Sequence, residues 1–210
     1  MLQKIVPLLL ISGAFSFRLA IAGAHGGLGR ELIQQSLERR WSTVALVRRY
    51  DPLFVPSRSG WLSEDETIRV PFKDKKLHAM GYDAIDNSTR YDAIVFALSG
   101  RPFEEDKTDQ LVASLISKLP KQCKKVCLVS AYGVGDSIRR ADVGIQAMNK
   151  FYLRDTYRAK RVQEELVSNL PNVDSVIFRP RVLSYAPMPF NPLSTTRQDL
   201  ARTILDWTQS

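Results

Sequence analysis

Phe17-Arg-Leu-Ala-Ile-Ala22 runs directly into Gly23-Ala-His-Gly-Gly-Leu-Gly29, and the reading of this stretch decides the fold. An apolar run of strand length meets three glycines spaced G-x-x-G-x-x-G, and an amphipathic helical pattern follows. That order predicts a strand, a tight turn and a helix whose first amides stay bare. Gly23 suits the tight turn, Gly26 lets phosphates approach the backbone, and Gly29 lets the helix pack closely on the strand. The helix N-terminus adds unpaired N–H groups and the positive end of its dipole. Gly23, His25, Gly26, Gly27, Leu28 and Gly29, with Arg30 in the first helical turn, are therefore the candidate pyrophosphate cradle. His25 contributes its backbone amide whatever its imidazole does. Arg30 is placed to reach a phosphate, or to lie on the surface as an ordinary arginine.

Outward from this turn, strand and helix patterns alternate. Leu28–Arg39 carries Leu28, Leu32, Ile33 and Leu37 as a helical stripe, and Thr43–Val47 reads as a second buried strand. Residues 51–66, with Pro, Ser and Gly, read as loop; Thr67–Phe72, interrupted by Pro71, reads as the third strand. Tyr91–Leu98 is the fourth strand, Asp109–Leu119 a helix ending before Pro120, and Lys125–Ser130 the fifth strand. Lys150–Leu170 is a long helix with Pro171 beyond it, Asp174–Phe178 the sixth strand and Gln198–Thr208 a closing helix. Strands apolar on both faces and alternating with helices predict one doubly wound α/β domain, a parallel sheet with helices on both faces. Its ligand crevice falls at the C-terminal ends of the strands.

Composition agrees with one globular unit: 210 residues, 44% hydrophobic and 25% charged, supply a sizeable core without low-complexity runs. The net charge of +8 is spread over short clusters such as Arg39-Arg40, Arg48-Arg49 and Lys121–Lys125. No helix-turn-helix, zinc spacing or RNA-binding aromatic motif accompanies it, so the expected partner is an anionic small molecule and not nucleic acid. The two histidines, His25 and His78, cannot supply a His-rich metal site. Of the two cysteines, Cys127 reads as a small core residue, while Cys123 in a basic loop is packed or a reactive thiol.

The N-terminus has two readings. Lys4, the apolar run Ile5–Ile11 and the small residues Ser12-Gly-Ala14 look like a short signal peptide, too short for a membrane span. The Ala14-Phe15 step resembles the cleavage junction of plastid proteins in algae with complex plastids. The expectation is a targeting segment over residues 1–14, plastid import, and a dinucleotide-binding domain over 15–210. The other reading is an extension packed on the fold of a cytoplasmic protein.

Val47-Arg48-Arg49 closes the second strand, where such folds face the adenosine ribose. An acid there accepts from the 2′-hydroxyl of NAD, whereas arginine clamps the 2′-phosphate of NADP. Arg48 and Arg49 with no acid before Asp51 therefore favour NADP(H) over NAD(H), unless they are simply a solvated basic strand end. Ala97, Leu98 and Ser99 follow the fourth strand and pass beside the nicotinamide ribose. Ser130-Ala-Tyr132-Gly-Val-Gly135 follows the fifth, where Ser130 would meet an acceptor carbonyl or cap the strand end.

Together these segments resemble the atypical short-chain dehydrogenase/reductases of the NmrA-like and biliverdin/flavin-reductase-like branch. The resemblance rests on the glycine turn, Val47-Arg48, Val129-Ser-Ala-Tyr-Gly133 and Lys160-x-x-x-Glu164. Phe178-Arg-Pro180 and Thr196-Arg-Gln-Asp-Leu-Ala201 complete it over nearly the whole chain. It implies a Rossmann fold and NAD(P)H binding. It also implies a lysine that lowers the pKa of a tyrosine four residues before it. Here Thr156 holds that position, Tyr157 precedes Lys160 by three, and the Tyr-x-x-x-Lys unit is absent. Lys160 is left as a candidate ribose ligand, and Tyr132 and Tyr157 as candidate acids. Relatives often place an aspartate just after the third strand; after Val70-Pro-Phe72 this chain offers only Asp74. Little chain follows the sixth strand, so the expected pocket is shallow or completed by the Pro-rich loop Ala186–Leu193.

Two functions fit. One is an NADPH-dependent reductase of a small planar or carbonyl-bearing acceptor held by Ser130. The other is a non-catalytic NADPH-binding sensor or assembly factor that works through a protein partner.

Overall fold

A computed structural model describes residues 17–48, 53–56, 67–70, 77–85, 90–100, 105–144, 146–147, 153–184 and 194–210. The central sheet is built from β1 (Arg18–Ala22), β2 (Ser42–Val47), β5 (Leu77–Gly81), β6 (Ala93–Phe96), β7 (Lys125–Val129) and β8 (Asp174–Phe178). Its six strands run in the order β5-β2-β1-β6-β7-β8, and every adjacent pair is parallel. This is the doubly wound order read from the alternation, with the strand sequence reversing between β1 and β6.

Among the described residues the helices that cover it are α1 (Gly27–Glu38), α2 (Thr108–Ser117), α3 (Arg154–Ser168) and α4 (Arg197–Gln209). Alternation in β1 separates two cores. Leu19 and Ile21 face one side, where they join Leu32 and Ile33 of α1 and Ile204 and Leu205 of α4. Ala20 and Ala22 face the other, with Phe96 of β6, Val112 and Leu115 of α2, and Val167 of α3. The closing helix is fixed by its cap, for Thr196 Oγ1 accepts from the Asp199 amide at 3.0 Å.

One strand assignment is corrected. β3 (Leu53–Pro56), inside the expected loop, pairs antiparallel with β4 (Thr67–Val70), apart from the central sheet. The third strand of the sheet is β5, with Thr43 opposite Leu77 and Val47 opposite Gly81. It is the sheet edge, and only Leu77 of its five residues is fully buried, so its sequence lacks the apolar run that marks a central strand. A short parallel pair, β9 (Val182–Ser184) and β10 (Ser194–Thr196), lies before α4. The targeting segment 1–14, Arg49, Asp51, Asp74 and the loop Ala186–Leu193 fall outside the described residues. Among the described residues no helix is long and apolar enough to cross a membrane.

Candidate functional site

The glycine turn leaves β1 at the point where the strand order reverses. Gly23 has φ +91°, and a Cβ there would overlap the Ala97 carbonyl, 2.7 Å from its carbon. At Gly29 a Cβ would collide with the Gly23 carbonyl oxygen and come within 2.9 Å of the Ala24 Cα. Both glycines are thus required by close backbone approach, one to the β6 end and one across the turn. The Gly26 amide donates to the Gly23 carbonyl at 2.9 Å and so closes the turn. Gly26 then caps α1 without any side-chain bond, leaving the first helical amides for a ligand. His25 and Gly26 are exposed, whereas Leu28 and Gly29 are buried in the packing of α1.

Arg48, exposed, stands at the end of β2. Beside it the β5 end brings a residue that sequence reading passed over. Tyr82 is half-buried and hydrogen-bonded to the Gly23 backbone; burial pushes its phenol up, against the pull of that bond and of the Arg48 charge. Asp83 follows, exposed. An aspartate does follow the third strand once the strand is placed correctly, and the signal for it is Gly81-Tyr-Asp83 after the short stretch Leu77–Met80.

Across the reversal, the β6 end supplies Ala97, buried Leu98 and exposed Ser99. Gly100 is tied back, its amide donating to Asp106 at 3.1 Å. Asp106 also accepts from the Thr108 amide at 2.9 Å and from the Thr108 hydroxyl at 2.6 Å, anchoring the loop to α2. Gln163 of α3 donates to Thr108 Oγ1 at 2.7 Å and joins that network.

Ser130, at the end of β7, is buried and its hydroxyl has no hydrogen-bond partner among the described residues. A buried hydroxyl without a partner is costly, which marks it as a group awaiting one. Lys160 is buried as Ser130 is, but its amine is already engaged. Its Nζ donates to the Leu98 carbonyl and, at 2.7 Å, to the Val129 carbonyl, lashing the β6 and β7 ends together. Burial brings its pKa down to about 8, against the upward pull of Asp106 and Glu164.

The two candidate tyrosines are engaged differently. Tyr157 donates its hydroxyl to the Tyr132 carbonyl at 3.0 Å, and burial raises its pKa. No lowered phenol stands there. Tyr132 Oη accepts from Arg181 at 3.0 Å, with the Arg181 guanidinium over the ring at 4.1 Å. Behind them Arg179 grips buried Glu164 through two bonds of 2.8 Å and reaches Asp136 at 3.2 Å. Of the two readings of Cys123 the packed one fits: the thiol is buried, and burial pushes it up to about 11. Cys127, fully buried, is also raised. Among the described residues no group of His, Cys, Asp and Glu is arranged to hold a metal ion.

Solved structures share this architecture. The oxidoreductase ylbE of Lactococcus lactis superposes with a TM-score of 0.63 at 19% identity, over 92% of this chain and 85% of that one. ChuY of Escherichia coli O157:H7, an anaerobillin reductase, gives 0.63 at 18% identity, over 92% and 91%. The enzyme WbmH of Bordetella bronchiseptica, solved in complex with NAD+, gives 0.60 at 13% identity, over 93% and 73%. At these identities the likeness shows the fold. No curated protein matches the sequence. Residues 23–209 match the model of a family described as NAD(P)H-binding. That match begins at Gly23 and takes in every element from the glycine turn to α4, so this chain belongs to the NAD(P)H-binding family.

Proposed function

We propose that the chain binds NADPH in preference to NADH and reduces a small carbonyl-bearing or planar acceptor held at Ser130. The residues fit the dinucleotide, because the places where a Cβ would collide, Gly23 and Gly29, shape a turn that bare α1 amides complete. Arg48 supports the 2′-phosphate, standing at the β2 end beside Tyr82 with no acid in its place. The observation that carries the reductase reading is the buried, unpartnered Ser130 hydroxyl at the end of β7. When bound, the reduced nicotinamide supplies a hydride to the acceptor.

The chain's own groups do the rest. Ser130 donates to the acceptor oxygen and orients it. Lys160 holds the Leu98 and Val129 ends at fixed separation, as a positioning residue and not a ribose ligand. The proton comes from solvent or from Tyr132, since Tyr157 is committed to a carbonyl. That ChuY, on the same fold, is an anaerobillin reductase supports the reductase reading.

The test is NADPH oxidation against a panel of flavins, quinones and aldehydes, with wild type and Ser130→Ala. The expected result is turnover of at least one class, with kcat/KM about tenfold or more lower in the variant at the cost of one hydrogen bond. Equal kcat/KM would remove Ser130 from the reaction. The second reading, a non-catalytic NADPH binder, is favoured by the engaged Tyr157 and Lys160. Tight NADPH binding with no turnover of any acceptor would establish it.

A further inference from the structure

A groove of about 970 Å³ runs between the segment 133–139 and α3; Tyr157 lines it, whereas neither the cofactor turn nor Ser130 does. It lies by the β7–β8 end of the sheet, whereas Arg48 stands by β2 near the other. Arg154, Arg158 and Arg161 line one wall at helical spacings of four and three, and Arg139 faces them from the other. The acidic liners are already engaged: Glu164 and Asp136 by Arg179, and Glu165 by Arg161 at 3.3 Å. Arg139, Arg154 and Arg158 are exposed, and none makes an ion pair with another described residue.

This arrangement runs against helix stability. Arg154 opens α3 beside Asp155, where the dipole disfavours a cation, and no basic residue stands in the last turn of the helix. Arg154 and Arg158 also repel one another at i,i+4. Like charges gathered in one groove, with Arg139, Arg154 and Arg158 in no ion pair among the described residues, mark a functional surface. We infer that the groove is a second anion site, taking a compact ligand with two or three linked phosphates. Guanidinium forks bind phosphate oxygens in pairs. Three helical arginines spanning roughly 10 Å along the axis suit clustered charge better than the spaced carboxylates of an extended peptide. The walls are a helix and a turn and contribute no strand edge on which a peptide would pair.

The test is calorimetric titration of the full chain with tripolyphosphate at low salt, with and without saturating NADPH to isolate the groove from the glycine turn. Wild type is expected to bind one tripolyphosphate, at least tenfold more tightly than R154Q/R158Q. K121Q/R202Q, which removes the same charge elsewhere on the surface, is expected to bind as wild type does. NADPH affinity should be equal in all three, and R154Q/R158Q should melt no lower than wild type. No saturable binding, or equal weakening in both double variants, would overturn the site. A hexaglutamate peptide binding more tightly than tripolyphosphate would overturn its chemistry. Vesicles carrying phosphorylated inositol lipids run beside it: co-sedimentation lost in R154Q/R158Q assigns the phosphates to a headgroup, its absence to a free metabolite, and either keeps the site.

Discussion

Lys160 Nζ lies 2.7 Å from the carbonyl oxygen of Val129, a residue 31 positions earlier, and donates to Leu98 as well. A lysine that pattern matching reads as a ribose ligand is here an internal strut between the two strand ends that flank the crevice.

The strut titrates in a defined window. With a folded pKa of about 8 against an ordinary 10.5, Lys160 is proton-free in the folded chain and protonated in the unfolded chain between those values. Unfolding then takes up a proton, so stability rises with pH across that window, by on the order of 3 kcal/mol in all. Below about pH 8 both states are charged and the slope vanishes. Lys160→Met should lack this rise and, by unpairing two carbonyls, lose about 1–3 kcal/mol near neutrality. Urea midpoints of both proteins on either side of the window check it; parallel pH curves would refute the strut.

Gly29→Ala should force α1 away from the turn, because the new methyl meets the Gly23 carbonyl. The expected cost is about 1–3 kcal/mol of stability with dinucleotide affinity down roughly tenfold or more. Gly144→Ala, whose nearest contact is the movable Asp142 side chain at 3.2 Å, should change neither. Thermal melts and NADPH titrations read both effects.

Tyr157→Phe separates a strut from an acid. The variant loses one bond to the Tyr132 carbonyl, about 1 kcal/mol, and should keep its turnover within about threefold. The raised phenol stays protonated through neutrality in any case, so the pH profile of kcat/KM should not move. A displaced limb in that profile would restore Tyr157 as a proton donor.

Cys123 should resist a thiol reagent in the folded protein at neutral pH, being buried with its pKa pushed up to about 11. Both cysteines should react once urea unfolds the chain. Rapid labelling of one thiol in the native state would contradict the packing around Cys123.

The glycine turn and the central strands are legible in the sequence because each is written locally. Close approach demands Gly23 and Gly29, and strands buried on both faces read as apolar runs. β5 was not, since an edge strand with one fully buried residue carries no such run, and the β-branched Thr67–Val70 outcompeted it. Misplacing that strand also hid Tyr82 and Asp83. The fate of Lys160 was beyond any local reading, because its acceptors come from two strand ends distant in sequence. Arg154 and Arg158 were visible as charges, but only the facing Arg139 makes a groove of them.

The most direct test is a fluorescence titration of wild type and Arg48→Gln with NADPH and with NADH. NADPH is expected to bind wild type at least about tenfold more tightly than NADH, with the variant losing most of that difference and keeping its NADH affinity. Equal affinities in wild type, or a preference that survives the substitution, would contradict the role given to Arg48. Binding of neither would contradict the glycine cradle itself.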